Sequence, residues 1–351
     1  MTGRPAAVVR EPTPPAPFIP PRILLLFLDG VGIGPLDPDV NPFARARLPV
    51  LSGVFGNRLP TLVDPDPEGP RGRAFPLDAT LGISGLPQSG TGQVALLTGE
   101  NAPRIFGSHF GPWPPVRLRP LLAERNLLLL ARNAGHQVAF ANAYPAGWPG
   151  TLPTRRHAAP PLAAQAAGVL ERDAEALVRG DAVASEIVND GWRHYTGRTD
   201  LPLVTPREAG ATLARIAGAA HLTLFAHYHT DFAGHRGGMP GAVLALERVD
   251  SLLGGILNAA VSGPPLWVVG CSDHGNIEDV RGGHTRNPAL GFVVRAGAPG
   301  SAGMGGDAGV HDPDPVALLR GVTDLTGVAP AVLAALDAVV PRVVTGPGTG
   351  P

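Results

Sequence analysis

Short apolar runs alternate with amphipathic stretches along this chain, the pattern of a mostly parallel sheet flanked by helices. Ile23–Leu28 is continuously apolar and reads as the first strand, ending at Asp29-Gly30. Leu118–Asn133 reads as a helix, and Val138–Ala141, following Gly135, as the next strand. Thr205-Pro206-Arg207-Glu208 is a helix start: Thr205 can cap, Pro206 suits the first turn and Glu208 stands where a capping-box carboxylate belongs. Leu222–Ala226 is then a strand. Val243, Leu244, Leu246, Val249, Leu252, Leu253, Ile256 and Leu257 keep helical spacing and predict one face packed on the sheet. Leu266–Gly270 and Leu290–Val294 are further strands, Asp314-Pro315 begins a short helix, and Val328–Val339 forms a last one.

The alternation breaks between residues 145 and 204, which are Ala-rich and helical in parts, with a polar exit through Asn189-Asp190-Gly191-Trp192. We read this stretch as a small inserted cap, the alternative being a helical excursion packed on the core edge. The expected organisation is a flexible Pro-rich arm (1–21), an α/β core (22–144 and 205–340), the cap (145–204) and a flexible tail (341–351). No internal repeat is visible.

Composition narrows the function classes. Across 351 residues, 44% are hydrophobic and 16% charged, so a large buried core is expected and global disorder is not. A formal net charge of -1 argues against a nucleic-acid partner. No lysine occurs, which removes the phosphate-gripping P-loop. The one cysteine, Cys271, excludes an intrachain disulfide and a thiolate zinc cluster, and reads as a small apolar residue at a strand end. The Pro-rich start lacks the apolar core of a secretory signal, and the apolar runs are strand-length, so a cytoplasmic protein without a membrane partner is expected.

The chemistry lies in the loops after the strands. Asp29, Asp231 with His235, Asp273 with His274, and His284 are three carboxylates and three imidazoles. They suffice for two divalent cations about 3.5–4 Å apart, a geometry suited to phosphoryl transfer. Open α/β sheets gather such residues at the carboxyl ends of their strands. Asp231 and His235, four apart, share a side if the loop begins a helical turn. Asp273 and His274 serve one ion only if the chain leaves extended geometry, which Gly275 permits. Gly30, Gly32 and Gly34 mimic a dinucleotide loop, but Pro35 stands where its helix would start.

Ser89, in Gln88-Ser89-Gly90-Thr91-Gly92, is the candidate nucleophile. Pro87 excludes a Gly-x-Ser-x-Gly elbow, so activation by a metal is the simpler route. Gly90 and Gly92 permit backbone N–H groups to approach a phosphate, and Gln93–Leu97 begins a helix whose N-terminus favours an anion. Thr91 is the rival nucleophile. Arg104, His109 and Arg286 are secondary candidates for contacting substrate, with structural or solvated roles as the alternative; His227 and His229 share a face that could point into the site or serve packing, and His311 reads as exposed.

The ordered set resembles the alkaline phosphatase superfamily, closest to the metalloenzyme core of cofactor-independent phosphoglycerate mutase and phosphopentomutase. The resemblance is carried by Asp29-Gly30, by Ser89 followed three residues later by Gly92, and by Asp231-Phe232-Ala233-Gly234-His235. Ser272-Asp273-His274-Gly275-Asn276-Ile277-Glu278, His284-Thr285-Arg286-Asn287-Pro288 and the closing helix Thr326–Leu336 extend it, over residues 22–100 and 205–340. It implies one ion on Asp231, His235 and His284, and another on Asp29, Asp273, His274 and Ser89. Manganese or zinc suits these ligands. It also implies attack by Ser89 on phosphorus and a phosphoseryl intermediate.

Three departures bear on activity. Gln93 follows Gly92 where the family often has histidine, a lysine near the substrate phosphate has no counterpart, and residues 100–204 replace the mutase's transferase domain. The expected function is therefore a two-metal phosphatase or phosphodiesterase acting on a small phosphorylated metabolite. A phosphomutase or phosphotransferase is the alternative, and a catalytically silent metal-binding module the alternative of another class. Nothing in the sequence speaks to oligomeric state.

Overall fold

The computed structural model describes residues 22–150, 156–297, 317 and 319–339. The arm, the tail, His311 and the helix start at Asp314-Pro315 lie outside the described residues. The strands are β1 (Arg22–Leu28), β2 (Glu68–Gly69), β3 (Gly72–Leu77), β4 (Val138–Phe140), β5 (Leu222–His227), β6 (Leu266–Cys271) and β7 (Ala289–Ala296). They form one sheet in the order β2-β3-β7-β6-β1-β5-β4. β1 pairs in parallel with β5 and β6, and β4 with β5, whereas β7 is antiparallel to β6 and β3. This is the mostly parallel α/β sheet expected.

Helices cover both faces. They are α1 (Pro49–Val54), α2 (Ser89–Thr98), α3 (Ala102–Phe106), α4 (Arg119–Arg125), α5 (Leu127–Asn133), α6 (Ala159–Ala166), α7 (Ala174–Val178) and α8 (Asp190–Thr196). After them come α9 (Pro206–Gly218), α10 (His229–Arg236), α11 (Gly238–Ala259) and α12 (Val328–Val339). Alternate residues of a strand face opposite sides. Ile23, Leu25 and Phe27 accordingly enter the core beneath α2, α4, α5, α6 and α12, and Leu24, Leu26 and Leu28 the core beneath α9 and α11. A strand buried on both faces has no polar alternation, which is why β1 reads as an unbroken apolar run.

The capping box forms as expected: the Thr205 hydroxyl accepts from Glu208 N, and Glu208 accepts from Thr205 N at 2.8 Å. The single helix expected over Leu118–Asn133 is two. Asn126 divides them in extended geometry, accepting from Leu129 N to cap α5 and donating from Nδ2 to the Leu122 carbonyl that α4 leaves open. Of the 145–204 stretch, α6 packs against α2, α4, α5 and β4. Cys271 ends β6, and burial raises its thiol pKa, with Asp273 adding to the effect.

Helices α9 and α11 cross at a pair of glycines. A Cβ on Gly255 would meet the Arg207 carbonyl oxygen and lie 3.0 Å from the Gly210 Cα. Backbone cannot yield as a flexible side chain can, so Gly255→Ala is expected to cost about 1–3 kcal/mol. Thermal denaturation checks it; an unchanged melting temperature would contradict this packing.

Candidate metal centre

The sheet order brings the chemistry together. β1 lies between β5 and β6, so the segments leaving the C-terminal ends of these three strands are neighbours. Asp29 follows β1, Asp231 and His235 stand one turn apart on α10 after β5, and Asp273 and His274 follow β6. His284 arrives from the loop that leads into β7. Ser89 is the first residue of α2, four residues before the helix start expected at Gln93. The glycines there serve packing. A Cβ on Gly90 would lie 2.6 Å from the Phe110 carbonyl oxygen, and one on Gly92 would lie 2.8 Å from that of Asp273. The N–H groups of Thr91 and Gly92 are spent on Phe110 O and Gln88 O, so neither is the phosphate donor expected of this loop.

Two groups of donor atoms result, each with its atoms within 4.8 Å of one another: Asp29, Asp273 and His274, and Asp231, His274 and His284. His274 is common to both. Its Nε2 lies 3.4 Å from Asp29 Oδ1, 3.8 Å from Asp273 Oδ2 and 4.0 Å from Asp231 Oδ1. Asp231 Oδ1 is also 3.7 Å from His284 Nε2 and 3.6 Å from His235 Nε2. His235 belongs to neither tight group, though its ring centroid is 5.0 Å from that of His284. Ser89 Oγ lies 2.9 Å from His274 Nε2. All seven residues predicted from the sequence therefore surround one spot.

Their orientation is fixed from behind. A backbone carbonyl only accepts, so His284 Nδ1 donates to Pro87 O at 2.8 Å and His274 Nδ1 to Gly275 O at 3.2 Å. Both rings thus turn Nε2 inward, as an imidazole ligand requires. Asn276 Nδ2 donates to Asp231 Oδ1 at 2.6 Å, and Gly30 N to Asp273 Oδ1 at 3.2 Å.

The electrostatics call for cationic charge. Asp29 Oδ1 and Asp273 Oδ2 are buried without a hydrogen-bond partner, a costly state for a carboxylate oxygen. Burial raises the Asp29 pKa well above the usual carboxylate range, and the charge of Asp273 adds to it. Burial also raises Asp273, with His274 opposing. Burial works against protonation of His274, but Asp273, Asp29 and Asp231 overcome it and push the imidazole up to about 10. His284 moves the other way, to about 4, through burial and the charge on His274. Hard carboxylate oxygens and inward imidazole nitrogens are the donor set that divalent ions take.

A cavity of about 660 Å³ opens over the cluster, lined by Ser89, Asp231, His235 and His284 and walled by Leu86, Gln88, Gly111, Pro112 and Val280–Gly283. No described residue of 145–204 lines it. Thr91 does not face it; its hydroxyl bonds Gln88 O at 3.3 Å. His109 bonds Ile83 O, Arg286 bonds Gly85 O, and Arg104 takes no part in the cluster. His227 is fully buried on Ser185 O, its pKa driven by burial to about 4, and His229 packs beside Phe232. Neither enters the cluster.

Sequence reasoning assigned no role to Glu278, which is fully buried and accepts from Gly32 N, Asn276 N, Thr285 Oγ1 and Asn287 Nδ2. It ties the loops after β1 and β6 to the one carrying His284. An acid three residues from Gly275, in a run already rich in ligands, was the available signal.

Residues 207–298 match the family described as Metalloenzyme superfamily, the segment holding Asp231, His235, Asp273, His274 and His284. Comparison with curated proteins finds no match. Among solved structures, the PH0037 protein of Pyrococcus horikoshii has the same fold, with a TM-score of 0.51, 11% identity, and 91% of this chain and 98% of that one covered. The alkaline phosphatase of the Antarctic bacterium TAB5 aligns at a TM-score of 0.47 and 12% identity, with 91% and 99% covered. The C-terminal periplasmic domain of EcEptC from Escherichia coli, in complex with Zn, aligns at 0.47 and 12%, with 92% and 87% covered. No helix of the described residues is long and apolar enough to cross a membrane. A segment that matches the Metalloenzyme superfamily, and carries five of the candidate ligands, thus sits in a chain with the fold of the PH0037 protein.

Proposed function

We propose that the protein is a two-metal phosphoric-ester hydrolase whose nucleophile is Ser89, acting on a small phosphorylated metabolite. What carries the reading is the 2.9 Å contact of Ser89 Oγ with His274 Nε2, at the residue common to both donor groups. Asp29, Asp273 and His274 would hold one ion, with Ser89 Oγ, and Asp231 and His284 the other, with His235 alongside. Bound there, manganese or zinc would lower the hydroxyl pKa and stabilise charge on the phosphoryl oxygens.

The chain's own residues do the rest. Ser89 stands at the positive end of α2, where an anionic ester is favoured. Its Oγ attacks phosphorus as the ester P–O bond breaks. The serine proton passes to solvent through the open cavity, and the departing alkoxide takes one from water. Water then cleaves the phosphoserine, releasing phosphate and restoring the hydroxyl. The loops Leu86–Gln88 and Arg281–Gly283 form the walls against which the leaving group lies.

The test is elemental analysis of the purified protein with a panel of phosphomonoesters and diesters. Inorganic phosphate release that a chelator abolishes and zinc or manganese restores is the expected result. Transfer to an added alcohol without net hydrolysis would make the protein a phosphotransferase instead. Full activity after complete metal removal would refute the proposal.

A further inference from the structure

Behind Asp29 sits a buried amide that the chemistry so far has not used. Gln93, on the first turns of α2, is 1% exposed. Its Nε2 donates to Asp29 Oδ2 at 3.1 Å, and its Oε1 accepts from Ala159 N at 3.1 Å. The two ends of a glutamine amide are interchangeable in shape but not in chemistry. Ala159 N–H can be met only by the oxygen, so the NH₂ end is forced toward Asp29. The Asp29 backbone is held independently, with the Thr230 hydroxyl donating to its carbonyl at 2.6 Å and its own N–H donating to His227 O at 2.9 Å. Gln93 is left with one function, the rotation of the carboxylate. With Oδ2 engaged, Oδ1 is the oxygen presented to His274 and the one without a hydrogen-bond partner.

We infer that Gln93 is a positioning residue that selects Asp29 Oδ1 as the metal-facing oxygen and is itself locked by the N-terminus of α6. The inference rests on the reading of Asp29 as a metal ligand. It also gives the inserted stretch a part in the centre. Ala159, the first residue of α6, is fully buried against the helices around α2. The backbone of that segment therefore sets the geometry of a ligand it never touches. A neutral amide suits the position, because it donates without adding charge to a group of three carboxylates. Outer hydrogen bonds of this kind typically govern about 10–100-fold in metal affinity.

Gln93→Met keeps the length of the side chain and removes both hydrogen bonds. Metal-stripped wild-type and variant protein are titrated with zinc against a chromophoric chelator, and the melting temperature of each stripped protein is recorded. The expected result is a roughly 10–100-fold weaker affinity for one ion, little change for the other, and phosphate release that recovers as zinc is raised. A purely structural glutamine would lower the melting temperature and leave both affinities alone, which overturns the inference. Ala159→Pro supplies a second variant should the first not fold. It removes the locking N–H and puts the proline ring in its place, at a first helical position that proline suits and after Ala158 with ψ 159°, as a residue before proline requires. A severalfold weakening is expected there, and unchanged affinity in a folded variant again overturns it. Wild-type protein that takes up no zinc or manganese would instead bring down the metal reading, and this inference with it.

Discussion

Ser89→Ala is expected to cut phosphoester hydrolysis by ~1,000-fold or more while the protein stays folded and still takes up metal. The substitution removes one atom, Oγ, from a buried position 2.9 Å from His274 Nε2. The start of α2 should tolerate it, because the cap residue is Gln88 and Ala favours the helix. Since Oγ is also a proposed ligand, the assay is run at saturating metal, with content measured in the same samples. Thr91→Ala is the matched control. Its hydroxyl is fully buried and bonds Gln88 O, so hydrolysis should persist. Activity retained by Ser89→Ala at equal metal content would remove Ser89 as the nucleophile, whereas metal-loaded wild type without hydrolysis would favour a module that binds metal without catalysis.

How far the sequence carried the reading depends on the range of the force that shaped each part. β1 and α11 are legible because burial imposes a local pattern, an unbroken apolar run in one and helical spacing in the other. The start of α9 is legible because its cap is made by residues three apart. The donor cluster is legible for another reason: each ligand follows a strand, and the carboxyl edge of a parallel sheet gathers such residues whatever their separation. What escaped depends on partners distant in sequence. β3 carries Pro76 and Gly72 and shows no alternation, and its place is set by pairing with β7. The start of α2 was hidden by Gly90 and Gly92, poor helix formers required there by the backbones of Phe110 and Asp273. Gln93 read only as a departure from the family pattern, because its two partners lie 64 and 66 residues away.

Glu278 belongs to that second group, and Glu278→Ala is the largest loss of stability expected from any single change around the centre. Two donors meet each of its oxygens: Gly32 N at 2.9 Å and Asn276 N at 2.8 Å on Oε2, the Thr285 hydroxyl and Asn287 Nδ2 on Oε1. Truncation leaves these four groups without their acceptor. Hydrogen bonds to a charged group contribute about 1.5–3 kcal/mol each, and part of that is recovered where water can enter. A loss of about 3 kcal/mol or more follows, read as a lower melting temperature of the metal-free protein. Glu278→Gln separates charge and pairing from shape. Whichever way its amide turns, the NH₂ end faces two donors, and only those on the Oε1 side can accept instead, the Thr285 hydroxyl by rotating and the Asn287 amide by flipping. It should therefore lie between wild type and alanine, with its NH₂ on the Thr285 side. Metal affinity should fall in the same order, because the bonds lost are those that tie the His284 loop to the segment carrying Asp273 and His274. If Glu278→Ala melts with the wild type, the four donors have other partners, and these loops are held by something other than this carboxylate.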